Sequence, residues 1–219
     1  KKSRMQFSKN SLFTNGTWII EVIGDDPFNL EHALNNDKIE PENDNNKTTL
    51  PDTIGIMPIR NAVSFPGTVT PLAIGRERTK KLLADTKTNE SVIGLVTQQN
   101  PQTDKPDFGD LYTVGTAASI LKVIKMPQDT VHIIVHGLTR FKITERVGTE
   151  PYLKAKVEVL STTTKMTKKL QALMVSVRQS ANRVINLSPN VPEEASMLLE
   201  NIENPSALAD FLAANLSLS

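Results

Sequence analysis

The sequence predicts an α+β protein, a small antiparallel β-barrel or sandwich with one or two helices followed by the start of an α-helical bundle. Between residues 51 and 160, short apolar segments alternate with turn-forming residues, a pattern typical of small β-barrels and sandwiches. From residue 162 onward, apolar residues recur every three or four positions, which is the period of a helix. We therefore divide the chain into an N-terminal extension and linker (1–50), a β-domain (51–160) and a helical subdomain (161–219).

The N-terminal region has a different composition from the rest and receives no functional assignment. The segment "TWIIEVI" (17–23) predicts a short strand, and "DDPFNLEHALNN" (25–36) predicts a short helix with Pro27 in its first turn. Residues 35–49 are rich in Asn, Asp and Glu and nearly free of apolar side chains. Such a segment buries too little surface to offset its ordering entropy, so it predicts a polar linker.

The β-domain contains four clear strand patterns and one helix pattern. "YLKAKVEVL" (152–160) alternates, which places four apolar side chains on one face of a strand: Leu153, Ala155, Val157 and Val159. "SILKVIKM" (119–126) and "TVHIIVHG" (130–137) flank a turn-forming cluster and predict a hairpin. "SVIGLVTQQ" (91–99) predicts a buried strand. "RERTKKLLADTK" (76–87) predicts a helix with Leu82 and Leu83 inward.

Three helices are predicted in the last 58 residues. The apolar face of the first consists of Met166, Leu170, Leu173, Val177, Ala181 and Val184. "SPNVPEEASMLLENI" (188–202) begins a second helix, with Pro192 early and acidic residues at its N-terminus. The third begins at Asn204 as N-cap and Pro205, with an apolar face of Leu208, Phe211, Leu212 and Leu216. Because no glycine cap or breaker follows it, we expect a C-terminally truncated bundle.

Composition argues against several classes of function. The 25 Lys and Arg residues against 24 Asp and Glu leave a net charge of +1, which favours neither nucleic acid nor an anionic membrane. The absence of cysteine excludes disulfides and thiolate sites. The sequence has no apolar run long enough to span a membrane and no secretory signal behind "KKSRMQFSKN". We therefore expect a soluble cytoplasmic protein.

No motif for catalysis or cofactor binding is found. The sequence contains neither a Walker-type phosphate loop nor a G-x-S-x-G elbow. His132 and His136 would lie about 13 Å apart along a strand, too far apart for one metal ion, and a solvated strand face is the preferred interpretation. The expectation is therefore no catalytic, cofactor or metal site in this segment.

The segment "PIRNAVSFPG" (58–67) predicts a rigid loop rather than a helix or a central strand. Pro58 and Pro66 each fix φ and disfavour helix at the preceding residue, and Pro58 belongs at a strand end or edge. Gly67 provides the backbone freedom of a turn. We expect Arg60 and Asn61 to hydrogen-bond backbone carbonyls and pin the loop to the barrel.

Three apolar residues are candidates for contact with a protein substrate. Phe65 is preferred as a buried anchor of the loop, and the alternative is an exposed apolar lip. Met126 and Pro127, at the predicted hairpin tip, are better placed for exposed contact, since a flexible thioether adapts to varied partners.

Six segments resemble, in order and spacing, the N-terminal domain of the Lon family of ATP-dependent proteases. They are "PIRNAVSFPG", "PLAIGRE" (71–77), "GLVTQ" (94–98), "DLYTVGTAASI" (110–120), "GLTRFKI" (137–143) and "EPYLKAKVEVL" (150–160). The segment from 191 to 218 is similar to the helical region that follows in that family. Ile59 stands where the family usually has Leu, a conservative difference, and residues 1–50 match nothing in the family.

The resemblance implies a PUA-like β-fold and a role in capturing unfolded, damaged or tagged proteins while supporting a hexamer. It assigns ATP, Mg²⁺ and Ser–Lys peptide hydrolysis to domains that this segment lacks. One domain alone binds a disordered chain weakly, because ordering that chain costs entropy, and six copies would compensate. The isolated segment is then expected to be monomeric or weakly associated.

Two other functions are considered. One is a stand-alone binding adaptor of the same fold with no protease attached, against which the truncated bundle argues. The other is RNA binding, since PUA-like folds occur in RNA-binding proteins. Residues 51–160 carry 14 Lys and Arg against 11 Asp and Glu, which is a weak basis for phosphate recognition, so no nucleic-acid partner is expected.

Overall fold

The computed structural model describes residues 13–14, 17–18, 50–86, 92–125, 131–160, 165–187 and 194–215. Near the N-terminus, β1 (Phe13–Thr14) and β2 (Thr17–Trp18) pair antiparallel. β2 coincides with the start of the strand predicted at 17–23. The predicted helix at 25–36 and the polar linker lie outside the described residues.

Six strands form one mixed sheet, with the order β4-β7-β6-β5-β3-β8. Their bounds are β3 Thr53–Ile59, β4 Val69–Ile74, β5 Val92–Thr97, β6 Val114–Lys125, β7 Val131–Gly148 and β8 Lys154–Val159. β7 also pairs with β8, so that β7, β6, β5, β3 and β8 form a closed ring of strands. β4 lies outside this ring and pairs with β7 alone.

One strand pair contradicts the predicted antiparallel arrangement. β3 and β5 run parallel, with Gly55 opposite Ile93 and Ile59 opposite Thr97. Between them the chain passes through β4 and the helix α1 (Glu77–Asp85). Because this long connection returns the chain to the same end of the sheet, the pair is parallel and the sheet is mixed.

The predicted local elements of this region are present. β5 is a buried strand, β6 and β7 form the antiparallel hairpin, and α1 directs Leu82 inward. Leu153 and Ala155 of the β8 region are buried as expected. Val159, the last residue of β8, is 37% exposed.

The core consists of two clusters, which lie on opposite faces of β5. The larger contains Met57, Leu72, Leu82, Ile93, Leu95, Ile120, Ile133 and Tyr152, among others. The other includes Ile54, Ile56, Val96, Phe108, Ala117, Phe141, Leu153 and Ala155. Alternate residues of β5, Leu95 and Val96, therefore fill different clusters, as the pleat of a strand buried on both faces requires.

Three helices follow the sheet: α2 (Lys168–Leu187), α3 (Glu194–Asn201) and α4 (Pro205–Asn215). They share a separate core of Met174, Leu199 and Leu208, against which Val177, Ala181, Ile185, Ile202, Phe211 and Leu212 pack. The start of α4 confirms the predicted cap, since the Asn204 side-chain oxygen accepts from the Ser206 amide at 2.8 Å. None of the helices in the described ranges is long and apolar enough to cross a membrane.

The predicted buried face of α2 is partly wrong. Leu173 and Val184 are 57% and 59% exposed, whereas Met174 is 7% exposed and Ile185 packs against the helical core. The face of α2 that packs against α3 and α4 is therefore shifted by about one residue from the face that the apolar pattern predicted.

Candidate functional site

The loop predicted at "PIRNAVSFPG" crosses β7 at Gly137. The Gly67 amide donates to the Gly137 carbonyl, and the Gly137 amide donates to the Thr68 carbonyl, both at 2.9 Å. A Cβ atom on residue 137 would lie 2.2 Å from the Phe65 carbonyl oxygen. The close crossing therefore requires glycine at this point of β7. Gly67 itself has a φ of 74°, which glycine adopts without strain.

Threonine hydroxyls hold the middle of this segment, residues 60–68, which we call the crossing segment. Thr97 of β5 donates to the Ala62 carbonyl at 2.7 Å, and Thr116 of β6 donates to the Ser64 carbonyl at 2.6 Å. Thr68 closes the segment by donating to the Phe65 carbonyl, also at 2.6 Å. These bonds fix the main chain of the crossing segment without a regular strand pairing.

Pro58 and Asn61 shape the entry to the crossing segment. Pro58 is the penultimate residue of β3, and β8 pairs with β3 only at residues 53–55. Pro58 therefore lies where that side of β3 has no neighbouring strand. Asn61 is exposed and has a φ of 51°, a left-handed conformation that asparagine tolerates. Pro66 is half-buried at the exit.

Two arginines join the entry to the 98–104 loop. Arg60 donates to the Thr103 carbonyl at 3.2 Å and to the Asp104 carboxylate at 2.9 Å. Arg76 donates to the Pro58 carbonyl at 3.3 Å and also to the Gln98 side-chain oxygen. Burial, and next the like charge of Arg60, lower the pKa of the Arg76 guanidinium from its usual value. Arg60 thus binds a backbone carbonyl, although in a neighbouring loop.

A recess with a volume of about 70 Å³ lies beside the crossing segment. Its lining residues come from the segment, β5, β6 and β7: Val63, Ser64, Phe65, Leu95, Thr97, Val114, Gly115, Thr116 and Arg140. Val63 and Val114 are 58% and 44% exposed. Tyr112, which is 54% exposed, donates its amide to the Thr97 carbonyl at 3.1 Å. Two exposed apolar side chains, Val63 and Val114, therefore line a recess large enough for several water molecules.

Of two polar groups that line the recess, one has a hydrogen-bond partner and the other has none among the described residues. Ser64 is 6% exposed, and its hydroxyl has no hydrogen-bond partner in the described part of the chain. Arg140 lies over the Phe65 ring, 5.9 Å from the centroid, and also donates to the Asp210 carboxylate of α4. Asp210 is 5% exposed. The guanidinium is therefore charge-paired, while the serine hydroxyl is buried without a hydrogen-bond partner among the described residues.

The predicted contact residues fall in different places. Phe65 is half-buried under Arg140, which is neither the fully buried anchor nor the exposed lip. Met126 and Pro127 lie outside the described residues. The strand-face prediction is wrong for His132, which is 5% exposed. Among the residues described, no group of His, Asp and Glu could hold a metal ion.

The sequence alone did not single out four residues of the recess: Val63, Ser64, Val114 and Arg140. Val63 and Ser64 lie inside "PIRNAVSFPG", so the motif located them without indicating which side chains would be exposed. Arg140 lies in "GLTRFKI", where nothing local signals a partner 70 residues later. The only available signal was their position in segments that resemble a known family.

Comparison with known proteins agrees with this fold. Residues 53–219 match the family described as the ATP-dependent protease La (LON) substrate-binding domain. A Lon protease of Anaeromyxobacter dehalogenans is 42% identical over 174 residues, which cover 79% of this chain and 21% of that protein. Lon protease 2 of Myxococcus xanthus is 41% identical over the same length and coverage. The chain therefore spans about a fifth of the length of these relatives.

A solved structure shows the same fold at low sequence identity. The N-terminal domain of the Mycobacterium avium complex Lon protease aligns with a TM-score of 0.62 at 16% identity. The alignment covers 76% of this chain and 84% of that one. The family match, the relatives and the shared fold together show that this chain belongs to the family of Lon substrate-binding domains.

Proposed function

We propose that this chain is the substrate-engaging domain of a cytoplasmic, ATP-dependent serine protease that acts in protein quality control. The domain captures unfolded, damaged or tagged proteins and supports a homohexamer. ATP and Mg²⁺ binding and Ser–Lys peptide hydrolysis belong to other domains of the protease, and the segment itself binds without cutting. The resemblance to the named Lon proteases supports this assignment, as does the substrate-binding family that matches residues 53–219.

The observation that carries the proposal is the pair of exposed apolar side chains, Val63 and Val114, that line the recess. Single exposed apolar residues are common on protein surfaces, but a contiguous group beside a concavity indicates a contact site. Val63, Tyr112 and Val114 each expose more than two fifths of their surface. Hydrogen bonds fix the backbone behind them, so the apolar surface is preformed and its ordering costs little on binding.

The interaction is proposed to be weak in one copy and effective in six. The recess measures only about 70 Å³, so one copy holds a small part of a disordered chain, which still loses most of its entropy elsewhere. Six copies in a ring raise the effective concentration of binding sites. The ring of β7, β6, β5, β3 and β8 is proposed to be a PUA-like barrel that holds the recess rigid. Sedimentation velocity of this segment should accordingly show a monomer or weak association.

Binding of an unfolded protein to a Val63→Asp variant tests the proposal. The probe is fluorescently labelled, reduced and carboxymethylated α-lactalbumin, and fluorescence anisotropy measures its affinity. A charge at the centre of an apolar contact should weaken binding about tenfold, the size of a typical hot-spot loss. Val147→Asp is the matched control, since Val147 is 48% exposed on β7 and does not line the recess.

The control variant should bind the probe as the wild type does, and both variants should keep the wild-type circular dichroism spectrum. Equal affinity of Val63→Asp and wild type would remove the recess from substrate capture. No binding by the wild-type domain at any attainable concentration would contradict the function itself.

A further inference from the structure

The helix α2 carries a second apolar stripe beside the one that packs in the helical core. The members of this outer stripe follow one another at alternating spacings of four and three residues, and Ser180 is the polar one among them: Leu173, Val177, Ser180, Val184 and Leu187. Such alternation is the spacing of a seam between two packed helices. Val177 borders the helical core, whereas Leu173, Val184 and Leu187 are 57%, 59% and 82% exposed.

The exposure of the outer stripe is unusual for a helix at the surface of a bundle. A helix that packs on one side typically presents polar residues on its other faces. The helical core holds three buried apolar residues, Met174, Leu199 and Leu208, and the outer stripe adds nothing to it. A contiguous group of exposed apolar side chains indicates a contact surface, so the outer stripe requires a partner that the three described helices do not supply.

The helix α2 is also basic along its whole length. Its charged residues are Lys168, Lys169, Arg178 and Arg183, and it contains no acidic residue. Lys169 lies one turn before Leu173, and Arg183 lies one turn before Leu187, so both border the outer stripe. No acidic side chain of the described ranges forms an ion pair with Lys169 or Arg183. A second copy of α2 would bring like charges together, so the outer stripe fits an acidic partner.

The N-terminal segment 19–44 has the complementary composition. It contains eight Asp and Glu residues against one Lys. The helix predicted at 25–36 includes Phe28, Leu30 and Leu34, and its 12 residues would span about 18 Å. At the same rise per residue, the outer stripe from Leu173 to Leu187 is about 21 Å long. The segment therefore matches the outer stripe in charge, apolar content and length.

The segment also joins the sheet close to the point where the helices begin. The Asp52 carbonyl accepts from the Val157 amide at 3.1 Å, and Leu50 packs against the same core cluster as Val157. β3 and β8 are antiparallel, with Thr53 opposite Lys156, so the start of β3 and the end of β8 lie at one end of the sheet. Eight residues separate β8 from α2. The segment and α2 are thus attached to neighbouring strand ends, which raises their effective concentration for each other.

We propose that the acidic segment 19–44 docks on the outer stripe of α2 in the same chain. The apolar residues of 25–36 contact Leu173, Val184 and Leu187, and the carboxylates of the segment lie beside Lys169 and Arg183. This assigns a role to the part of the chain that precedes the family match, which begins at residue 53. It also explains why a face of α2 with the pattern of a buried helix is exposed among the described helices, since its partner lies earlier in the chain.

An introduced thiol measures whether the outer stripe is covered, because the chain has no cysteine of its own. The full chain with Val184→Cys is compared with the full chain with Val147→Cys, since Val147 is 48% exposed on β7. The readout is the rate of reaction with N-ethylmaleimide, a neutral reagent. A thiol that is covered four fifths of the time should react about fivefold more slowly than the control. The neighbouring Arg183 favours the reactive thiolate, so its charge would act in the opposite direction.

Charge reversal in the segment identifies what covers the thiol. Asp26→Lys/Glu31→Lys, added to Val184→Cys, should restore the rate to within about twofold of the control, because the segment then repels α2. The matched variant Asp85→Lys/Glu158→Lys reverses two exposed charges on α1 and β8 and should leave the thiol protected. Protection should weaken in about 1 M NaCl and should not depend on protein concentration. Each variant should keep the wild-type circular dichroism spectrum.

Three results would overturn the proposal. Equal rates for Val184→Cys and Val147→Cys would show that nothing covers the outer stripe. Protection that survives Asp26→Lys/Glu31→Lys would assign the cover to another part of the chain, and protection that is lost on dilution would assign it to a second copy. None of these rates depends on binding of α-lactalbumin, so the docking of the segment and the proposed function succeed or fail separately.

Discussion

Arg140 of β7 and Asp210 of α4 form a two-point ion pair between the sheet and the helices. Nη1 donates to Oδ2 at 3.1 Å, and Nη2 donates to Oδ1. The Asp210 side chain is 7% exposed and the Arg140 side chain 30%. The same guanidinium lies over the Phe65 ring. One arginine therefore contacts both the wall of the recess and the last described helix.

The first prediction is that Asp210→Asn loosens α4 from the sheet. The variant keeps the shape of the side chain but leaves the Arg140 guanidinium without a counter-charge. Breaking a buried pair typically costs about 3–5 kcal/mol, and the partial exposure of Arg140 reduces the expected loss to about 1–3 kcal/mol. Urea unfolding measures the loss, and amide hydrogen exchange should accelerate within Pro205–Asn215.

Glu145→Gln is the control for this prediction. Its ion pair with Lys156 is exposed on both sides, at 59% and 52%, so its loss should change the free energy of unfolding by less than about 0.5 kcal/mol. Unchanged exchange of α4 amides in Asp210→Asn would show that the helix does not depend on the pair.

Local patterns in the sequence were sufficient to predict most of the helices and strands, but not how those elements are arranged. The Asn204 cap and the strand β5 depend on neighbours a few residues away, and both were predicted. The face of α2 was not, because Leu173 and Met174 both fit the helical period and only the position of α3 and α4 decides between them. The parallel pairing of β3 with β5 depends likewise on a connection whose path no local pattern specifies.

The recess illustrates the same limit. Two prolines and a glycine predicted a stiff loop at residues 58–67, and the structure contains one. Which side chain the loop exposes depends on Thr97 and Thr116, which hold its carbonyls, and on Gly137, where it crosses β7. Those contacts join residues 35 and 52 positions apart along the chain. Phe65 was therefore expected as the buried anchor of the loop, and the exposure of Val63 was not predicted.

The second prediction is that Gly137→Ala displaces the crossing segment. The new Cβ would lie 2.2 Å from the Phe65 carbonyl oxygen and 3.3 Å from a Thr116 methyl group. Backbone cannot yield as a flexible side chain does, so we expect a loss of about 2–4 kcal/mol in the free energy of unfolding. Thermal unfolding followed by circular dichroism measures this loss.

Gly148→Ala provides the comparison on the same strand, since nothing lies within 4 Å of its Cβ position. It should be neutral or stabilising by a few tenths of a kcal/mol, because alanine restricts the unfolded chain. Similar stabilities of the two variants would contradict the close crossing at Gly137.

The third prediction ranks the two arginines at the entry to the crossing segment by their contribution to the free energy of unfolding. Arg76→Ala should cost about 2–3 kcal/mol, because it removes hydrogen bonds to the Pro58 carbonyl and to Gln98, which is 3% exposed. Arg60→Ala should cost less than about 1 kcal/mol, because its partner Asp104 is 90% exposed. Urea unfolding of both variants measures the difference, and a larger loss in Arg60→Ala would reverse the assignment of Arg76 as the main support.

The fourth prediction concerns the core that the three helices share. Leu199 of α3 is fully buried and packs with Met174 and Leu208. Leu199→Ala should lower the stability of the helical part by about 2–4 kcal/mol, the sum of lost apolar burial and the cavity left behind. Met197, two residues earlier on the same helix, is 65% exposed, and Met197→Ala should change stability by less than about 0.5 kcal/mol.

Circular dichroism at a helix-sensitive wavelength, recorded during urea unfolding, measures the stability of Leu199→Ala and of Met197→Ala. Trp18 lies in β2, so its fluorescence does not report on the helical core. Amide hydrogen exchange within Lys168–Leu187 and Pro205–Asn215 reports on that core directly. Faster exchange in both helices of Leu199→Ala, with the sheet unaffected, is expected because the helical core shares no buried residue with the two sheet clusters. Equal acceleration in β5 and β7 would instead mean that the Arg140–Asp210 pair joins sheet and helices into one cooperative unit.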